Sequence, residues 1–331
     1  MASVLTDTRF AERHGEHMRA IAARHGRDLV PLLLPGDPGG WLDESALGRI
    51  ELACFTGSWD ADPVFARRFL GSALNAPRLA WMHLPNAGVD HPVFARLRAQ
   101  GTRLTTSSAA TAVPIAQSAI AAVLWLARGF PAWSSAQHRR AWQPHVALPD
   151  DLAGRTMVVV GLGAIGNEIA RLARALGLHV VGLRRRPRRE DDHADEVVVP
   201  SHLDEVLARA DWLVLACPLT DETRGLLDAR RIGLLPAGAR VVNVARGALV
   251  DEAALVAALA SGRIRGAYLD VFAEEPLPAD SPLWDLPEVI VTPHDAGASA
   301  GNPDRVAEIF LDNLERWLRD EPLAGEVLQA G

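Results

Sequence analysis

The segment Thr156-Met-Val-Val-Val-Gly161-Leu-Gly163-Ala-Ile-Gly166 constrains this chain more than any other. An apolar run of strand type meets glycines at 161, 163 and 166, then enters a helical pattern that reaches Leu176 and stops at Gly177. In that context Gly161 permits a tight turn, Gly163 lets backbone approach a pyrophosphate, and Gly166 lets helix and strand pack closely. The helix N-terminus then offers unpaired N–H groups and a positive dipole end to phosphates. Leu162, Ala164 and Ile165 complete the turn and join the three glycines as candidate cofactor-binding residues. A tight turn without a ligand is the plainer alternative.

The alternation around this turn sets the fold class. Strand-like runs recur at 179–183, 196–199, 212–216, 240–244, 266–271 and 289–292, separated by helical segments such as 201–209 and 251–260. Such spacing predicts a parallel sheet wound in both directions. Upstream, residues 7–25 read as an amphipathic helix with no strand evident before it. Strand-like runs follow at 28–34, 50–56, 79–84 and 103–106; the third closes on Pro85-Asn-Ala-Gly88, a turn signal. Residues 112–127 form an Ala-rich crossover helix, and the amphipathic tail at 303–320 is expected to return to the first domain. The predicted architecture is α/β, with two Rossmann-like doubly wound domains. A discontinuous, flavodoxin-like substrate domain takes residues 1–110 and 296–331, and a dinucleotide-binding domain takes 111–295.

Composition narrows the chemistry. All basic side chains counted are arginine; there is no lysine among the 331 residues. That removes Schiff-base and pyridoxal chemistry, phosphate-loop NTPases, and reductases using a Tyr and Lys pair, since Tyr268 is the only tyrosine. A net charge of −7 argues against nucleic acid as the main partner. Cys54 and Cys217 stand far apart and make no ligand or redox pair, which fits a reducing compartment. No metal site is expected. Asp7 and Glu12 fall where a signal peptide would be apolar, and no apolar run is expected to approach the ~18 residues that span a bilayer. A cytoplasmic protein away from the membrane is the resulting expectation.

The residue ending the second strand after the turn selects the cofactor: a carboxylate bonds the ribose of NAD, and arginine accommodates the 2′-phosphate of NADP. Here the strand ends in Leu183-Arg184-Arg185-Arg186-Pro187-Arg188-Arg189, with no carboxylate at the expected place. Arg185 or Arg184 is expected to clamp the extra phosphate, because a guanidinium fork matches phosphate geometry. NADP(H) is the preferred reading and NAD(H) stays possible; a solvated basic loop or a nucleic-acid patch is the alternative.

Reduction of a ketone needs a cation for the substrate, a proton donor, and a group that tunes the donor. Arg246 follows the fifth strand of the sheet, Glu275 a loop after the sixth, and His294 the last. All three fall at strand C-terminal ends, where open α/β sheets bind ligands. Singly they read as a surface charge, an N-cap or ion-pair partner, and a buried polar side chain. Their order after this turn favours the joint reading.

At this point the chain resembles the D-isomer-specific 2-hydroxyacid dehydrogenase family, from about Trp81 to Arg316. The resemblance is carried by Asn86-Ala-Gly-Val-Asp90, Leu152-Ala-Gly-Arg155, Gly161–Gly166 and Pro218-Leu-Thr-Asp-Glu-Thr-Arg-Gly225. Further matching strings are Val242-Asn-Val-Ala-Arg-Gly247, Gly266-Ala-Tyr-Leu-Asp-Val-Phe272, Asp280-Ser-Pro-Leu-Trp-Asp-Leu-Pro287 and Thr292-Pro-His294. The arginine cluster makes it look most like the NADP-preferring glyoxylate and hydroxypyruvate reductases.

The resemblance implies roles. Arg246 would bind the carboxylate and 2-oxo group of a small 2-oxo acid, and His294 would protonate the carbonyl oxygen as hydride arrives. Glu275 would hydrogen-bond the imidazole, orient it and favour its charged form. The loop carrying Asn86, Ala87 and Gly88 would receive the carboxylate, and domain closure would exclude water. Asp270 would bond the nicotinamide carboxamide, while Cys217, Pro218, Val244 and Ala245 would line the cofactor cleft. Leu84, Trp133, Trp142 and Trp284 are candidate pocket residues on the sequence alone, although helical or loop packing explains each tryptophan equally well. Relatives are commonly dimers through an arm of the sheet domain, here 112–150, so a homodimer is expected.

Departures also count. Ile115-Ala-Gln117-Ser118 replaces the Val-Ala-Glu-His common in relatives, which bears on packing or domain motion. Asp295-Ala-Gly-Ala-Ser299 puts a carboxylate beside His294, facing away or biasing substrate charge. No additional C-terminal regulatory domain is expected, which weighs against a long phosphoglycerate dehydrogenase. Two rivals share the fold: a dinucleotide-sensing regulator of the co-repressor type, and a formate- or phosphonate-oxidising relative.

Overall fold

Five short parallel strands make the first sheet: β1 (Ala2–Thr6), β2 (Leu29–Leu32), β3 (Ile50–Cys54), β4 (Trp81–Leu84) and β5 (Arg103–Thr106), in spatial order β2-β1-β3-β4-β5. Helices α1 (Thr8–Arg24), α2 (Glu44–Leu47), α3 (Pro63–Leu74) and α4 (Pro92–Ala99) fall between them in the chain. This computed structural model describes residues 2–37, 39–57, 62–85, 88–89, 91–144 and 149–327.

The expectation that no strand precedes the first helix fails at β1. Ala-Ser-Val-Leu-Thr is short, and the hydroxyls of Ser3 and Thr6 disguise its apolar character. The strand is nonetheless interior, pairing with β2 and β3, and Ser3 to Thr6 are all buried. Its side chains alternate between faces, as strand geometry requires. Val4 joins Leu52 and Trp81 under Phe10, Met18 and Ile21 of α1, while Leu5 joins Ala53 and Met82 against Phe69, Phe94 and Leu97. Asp7 then caps α1 by accepting the N–H of Phe10 (2.9 Å), and its other oxygen accepts the N–H of Thr56 (2.8 Å).

The second unit, residues 112–298, is organised by a parallel sheet of β6 (Thr156–Val160), β7 (His179–Leu183), β8 (Glu196–Val198), β9 (Trp212–Leu215), β10 (Ala239–Asn243), β11 (Ile264–Leu269) and β12 (Val289–Val291). Its order is β12-β11-β10-β9-β6-β7-β8. Winding reverses between β6 and β9, the switch point at which such sheets bind ligands beyond their C-terminal ends. The helices, in chain order, are α5 (Ser108–Ala127), whose first turn precedes the unit, α6 (Phe130–His138), α7 (Ala164–Ala175), α8 (Leu203–Leu207), α9 (Ala229–Leu234) and α10 (Glu252–Ala260). Alternate residues of β6 feed opposite faces: Val158 and Val160 one core, Met157 and Val159 the other.

Helix α5 corrects a second expectation. It runs 20 residues without a charge and is long and apolar enough to cross a membrane by length and composition. Half of this apolar stretch is buried within the fold, where Ala116, Ala119, Ile120, Val123 and Leu126 pack with Met157 and Val159. Beyond α5 the chain makes an excursion whose ends meet: Asp150 N–H donates to Ala127 O (3.0 Å), and the Asp150 carboxylate is held by Arg240 (2.7 Å) and Arg265 (2.8 Å). Trp125 stacks on Phe130 at 4.7 Å, Phe130 meets Trp133 edge-on, and all three remain substantially exposed.

The last helix, α11 (Asn302–Leu318), belongs with the first sheet, in the unit formed by residues 1–111 and 299–331. Phe310 stacks on Trp81 at 4.9 Å and meets Phe10 edge-on. Asp304 takes ion pairs from Arg9 and Arg13 of α1, and Glu315 from Arg24.

Candidate active site

The glycine turn lies at the C-terminal end of β6, in the form the sequence predicts. A methyl group at Gly166 would sit 1.9 Å from the carbonyl oxygen of Gly161, so only glycine allows the helix to start this close to the strand. Gly163 is the N-cap of α7, and no side chain caps the helix. A Cβ added at Gly163 would meet nothing within 4 Å, leaving the first N–H groups of a 12-residue helix open to an outside acceptor. Gly163 and Ala164 are exposed and Ile165 half-buried. Leu162 turns inward instead, against Gly182 of β7, so only its backbone faces the turn. These features fit a dinucleotide pyrophosphate.

The arginine-rich loop after β7 is less free than its composition suggests. Arg184 does not project towards a ligand. Its Nη1 lies 2.6 and 2.7 Å from the two carboxylate oxygens of Asp192, in a pair that is almost fully buried. Arg185 is the exposed one, with only a 3.9 Å approach to Glu222. Strand geometry explains the split, since successive side chains leave opposite faces. Arg185 also acts on the Cys217 thiol at the end of β9, which burial pushes up to about 11 against the opposing pull of that guanidinium. Pro218 beside it is exposed, Val244 after β10 buried, and Ala245 half-buried.

Strands β10, β11 and β12 are neighbours, so the segments following them emerge along one edge of the sheet. Asn243 braces the first: its Nδ2 donates to Arg246 O (2.9 Å) and its Oδ1 accepts Ala245 N–H (3.1 Å). The Arg246 guanidinium donates from Nη1 to Ala245 O (2.7 Å). Gly247 then presses on the loop after β11, where a Cβ would lie 1.9 Å from the carbonyl carbon of Phe272. Glu275 is fixed within that loop, its Oε1 accepting Phe272 N–H at 3.0 Å. Its Oε2 lies 2.8 Å from His294 Nδ1.

His294 itself has φ of +54°, a left-handed conformation that a non-glycine residue adopts only under outside restraint. Asp270 supplies the restraint. Its carbonyl accepts His294 N–H (2.8 Å), and its Oδ1 accepts the Thr292 hydroxyl (2.5 Å) and the N–H groups of Asp295 (2.9 Å) and Ala296 (3.0 Å). The Tyr268 hydroxyl lies 3.0 Å from that of Thr292, and burial pushes its phenol up to about 12. Sequence reasoning assigned Asp270 to the cofactor and overlooked this second duty, along with Asn243 and Thr292. The short string Thr292-Pro-His294 holds no signal of a left-handed residue.

The remaining expectations are scattered. Asn86 and Ala87 lie outside the described residues; Gly88 is half-buried in the first unit. Leu84 is sealed in the first unit's core. Trp142 is fully exposed, Trp133 belongs to the aromatic group on α6, and Trp284 Nε1 donates to Pro278 O (2.9 Å). Asp295 has an exposed side chain. Among the described residues, no group of three or more His, Cys, Asp or Glu could hold a metal ion.

Comparison with known proteins gives this geometry a context. The sequence model of the D-isomer-specific 2-hydroxyacid dehydrogenase NAD-binding domain matches residues 120–296. A D-3-phosphoglycerate dehydrogenase of Methanocaldococcus jannaschii is 32% identical over 246 residues, 74% of this chain and 47% of that protein. A glyoxylate reductase of Korarchaeum cryptofilum is 39% identical over 181 residues, 55% of this chain and 54% of that one. The chain thus spans about half the length of these two curated relatives. A D-isomer-specific 2-hydroxyacid dehydrogenase from Xanthobacter autotrophicus Py2, solved with NADPH and MES, superposes with a TM-score of 0.76 at 31% identity, covering 99% of this chain and 98% of that one.

Proposed function

The chain belongs to the D-isomer-specific 2-hydroxyacid dehydrogenase family, and on that premise we propose that it reduces a small 2-oxo acid of the glyoxylate or hydroxypyruvate kind to the D-2-hydroxy acid, using NADPH. The observation that carries the reading is the 2.8 Å bond between His294 and Glu275, at the same end of the sheet as the uncapped helix behind Gly163.

The residues suit the cofactor. Gly161 to Gly166 would hold the pyrophosphate on the N–H groups of α7, Arg185 would take the 2′-phosphate, and Cys217, Pro218, Val244 and Ala245 would line the bed of the dinucleotide. Asp270 would add a contact to the carboxamide while keeping its hold on the His294 segment. When bound, NADPH supplies the hydride. The chain does the rest. Arg246 fixes the substrate carboxylate and 2-oxo group as a cation with directed donors. His294 carries a proton on Nε2 to the carbonyl oxygen, because Nδ1 is engaged with Glu275. The Glu275 carboxylate, anchored through its second oxygen, stabilises the imidazolium and fixes the ring plane.

NADPH is favoured over NADH by the absence of a carboxylate after Leu183 and by the exposed Arg185 guanidinium. The Xanthobacter relative bound to NADPH and the Korarchaeum glyoxylate reductase support the choice of cofactor and substrate. The exposed stack of Trp125, Phe130 and Trp133 supports a homodimer through the α5–α6 segment, since exposed apolar patches mark association sites. The deciding experiment assays a panel of 2-oxo acids with NADPH and NADH side by side. Turnover of glyoxylate or hydroxypyruvate with NADPH is the expected result; tight NADPH binding with no turnover of any 2-oxo acid would replace the reductase with a sensor.

A further inference from the structure

Resting on the NADPH reading, we propose that Asp192, together with Asn167, positions the loop after β7 so that Arg185 faces the 2′-phosphate while Arg184 serves as a buried pin. Asp192 is then a positioning residue for the choice between NADPH and NADH, although it touches neither.

The loop reads Arg184-Arg-Arg-Pro-Arg-Arg-Glu-Asp-Asp192-His-Ala-Asp195, a basic half followed by an acidic half. Left in solvent, five like charges would repel and the segment would wander. The structure folds the acidic half back onto the basic one. Asp192, 3% exposed at its side chain, holds Arg184, which is 10% exposed. Its Oδ2 also accepts the N–H of Arg189 (2.7 Å), closing a tight turn. Arg188 donates to the carbonyls of Ala194 (3.0 Å) and Asp195 (3.2 Å), and Arg189 pairs with Asp191 (2.8 Å).

Asn167 joins this folded loop to the dinucleotide helix. It lies in α7, one residue past Gly166, and uses both ends of its amide. Nδ2 donates to Asp191 O (2.7 Å), and Oδ1 accepts His193 N–H (2.7 Å). The loop is thereby held relative to the turn that would carry the pyrophosphate.

Removing Arg184 from this arrangement would strand a buried carboxylate, which is strongly unfavourable. The Nε of Arg184 is buried with no hydrogen-bond partner, so the guanidinium is enclosed rather than poised to swing out. Arg185, with 70% of its side chain exposed and Glu222 at 3.9 Å, has the freedom a phosphate ligand needs. Neutralising Asp192 releases the pin and lets the loop relax, which disturbs Arg185 but leaves the glycine turn intact.

The test measures dissociation constants for NADPH and NADH by nicotinamide fluorescence, with thermal unfolding alongside, for the wild type and for Asp192→Asn, Asn167→Ala and Arg185→Gln. Arg185→Gln and Asp192→Asn are each expected to weaken NADPH binding about tenfold or more, with NADH binding changed less than about twofold. Equal weakening of both cofactors, or no weakening of NADPH, in Asp192→Asn overturns the proposal. If that variant fails to fold, Asn167→Ala must show the same split, and its absence is equally fatal. A wild type that binds NADH as tightly as NADPH, with Arg185→Gln neutral, removes the NADPH reading itself. A wild type that prefers NADPH and responds to Arg185→Gln but not to Asp192→Asn or Asn167→Ala removes only the positioning role.

Discussion

The two oxygens of Glu275 are divided between His294 and the backbone: Oε2 lies 2.8 Å from the imidazole Nδ1, and Oε1 accepts the Phe272 N–H at 3.0 Å. A carboxylate held at both ends cannot rotate away, so the ring it faces keeps one orientation. That orientation leaves Nε2 as the nitrogen available to a substrate.

Replacement of His294 by glutamine removes the proton donor without a change in charge at high pH. A positioned acid supplies about 10²- to 10⁴-fold, so turnover with the best 2-oxo acid should fall by that order. Steady-state assays with NADPH measure it. Near-normal turnover in the variant would displace His294 from the reaction.

Glu275→Gln keeps a hydrogen-bonding group beside the imidazole but replaces the carboxylate that fixes the ring, 2.8 Å from Nδ1. Reduction should persist at a rate between those of the wild type and of His294→Gln, as steady-state assays with NADPH would show. A rate equal to that of the wild type would remove Glu275 from the positioning of the imidazole.

His83 gives the first unit a built-in acid sensitivity. It is wholly buried, with Nδ1 at 2.7 Å from the Thr105 hydroxyl and Nε2 at 2.7 Å from that of Ser107, and burial pushes it down from 6.5 to about 3. Between those values the unfolded chain binds a proton that the native one refuses. The stabilisation is therefore complete above pH 6.5 and declines as pH falls towards 3, by roughly 1.4 kcal/mol per unit. Denaturant titrations at pH 7 and pH 5 should show the wild type losing about 2 kcal/mol more than His83→Gln. Parallel losses would refute it.

Both cysteines should be silent towards thiol reagents in the native state. Burial pushes Cys217 up to about 11 and Cys54 well above the ordinary thiol range, the latter helped by Asp7. Thiolate, the reactive form, is accordingly scarce at pH 8. Reaction with a chromogenic disulfide should release two equivalents only after denaturation, matching the two cysteines of the chain. A fast native equivalent would contradict the burial of one of them.

If the α5–α6 segment mediates self-association, Phe130→Ser should break its stack with Trp125 and shift the protein from dimer to monomer. Light scattering after size exclusion reads the mass directly. An unchanged dimer would move the interface elsewhere.

The strands around the glycine turn were legible because each is an apolar run bounded by turn residues, and β6 and β7 begin and end where the pattern places them. β1 was not, since two hydroxyl side chains in a five-residue strand erase the alternation on which such readings depend. The partnership of His294 with Glu275 was implied by the family resemblance, and order along the chain said only that the two residues follow neighbouring strands. The pairing of Arg184 with Asp192 did not, because a loop has no periodicity to say which of five arginines turns inward. The alternation of side chains at a strand end would have separated Arg184 from Arg185, but not named the partner.

The return of α11 to the first sheet has a consequence for how the polypeptide matures. The faces that Trp81 and Phe10 turn to α11 stay open until Phe310 arrives, more than two hundred residues later in synthesis. The contiguous unit of residues 112–298 has all its own strands by then and can settle first. On the ribosome, the portion made earliest is thus the portion completed last.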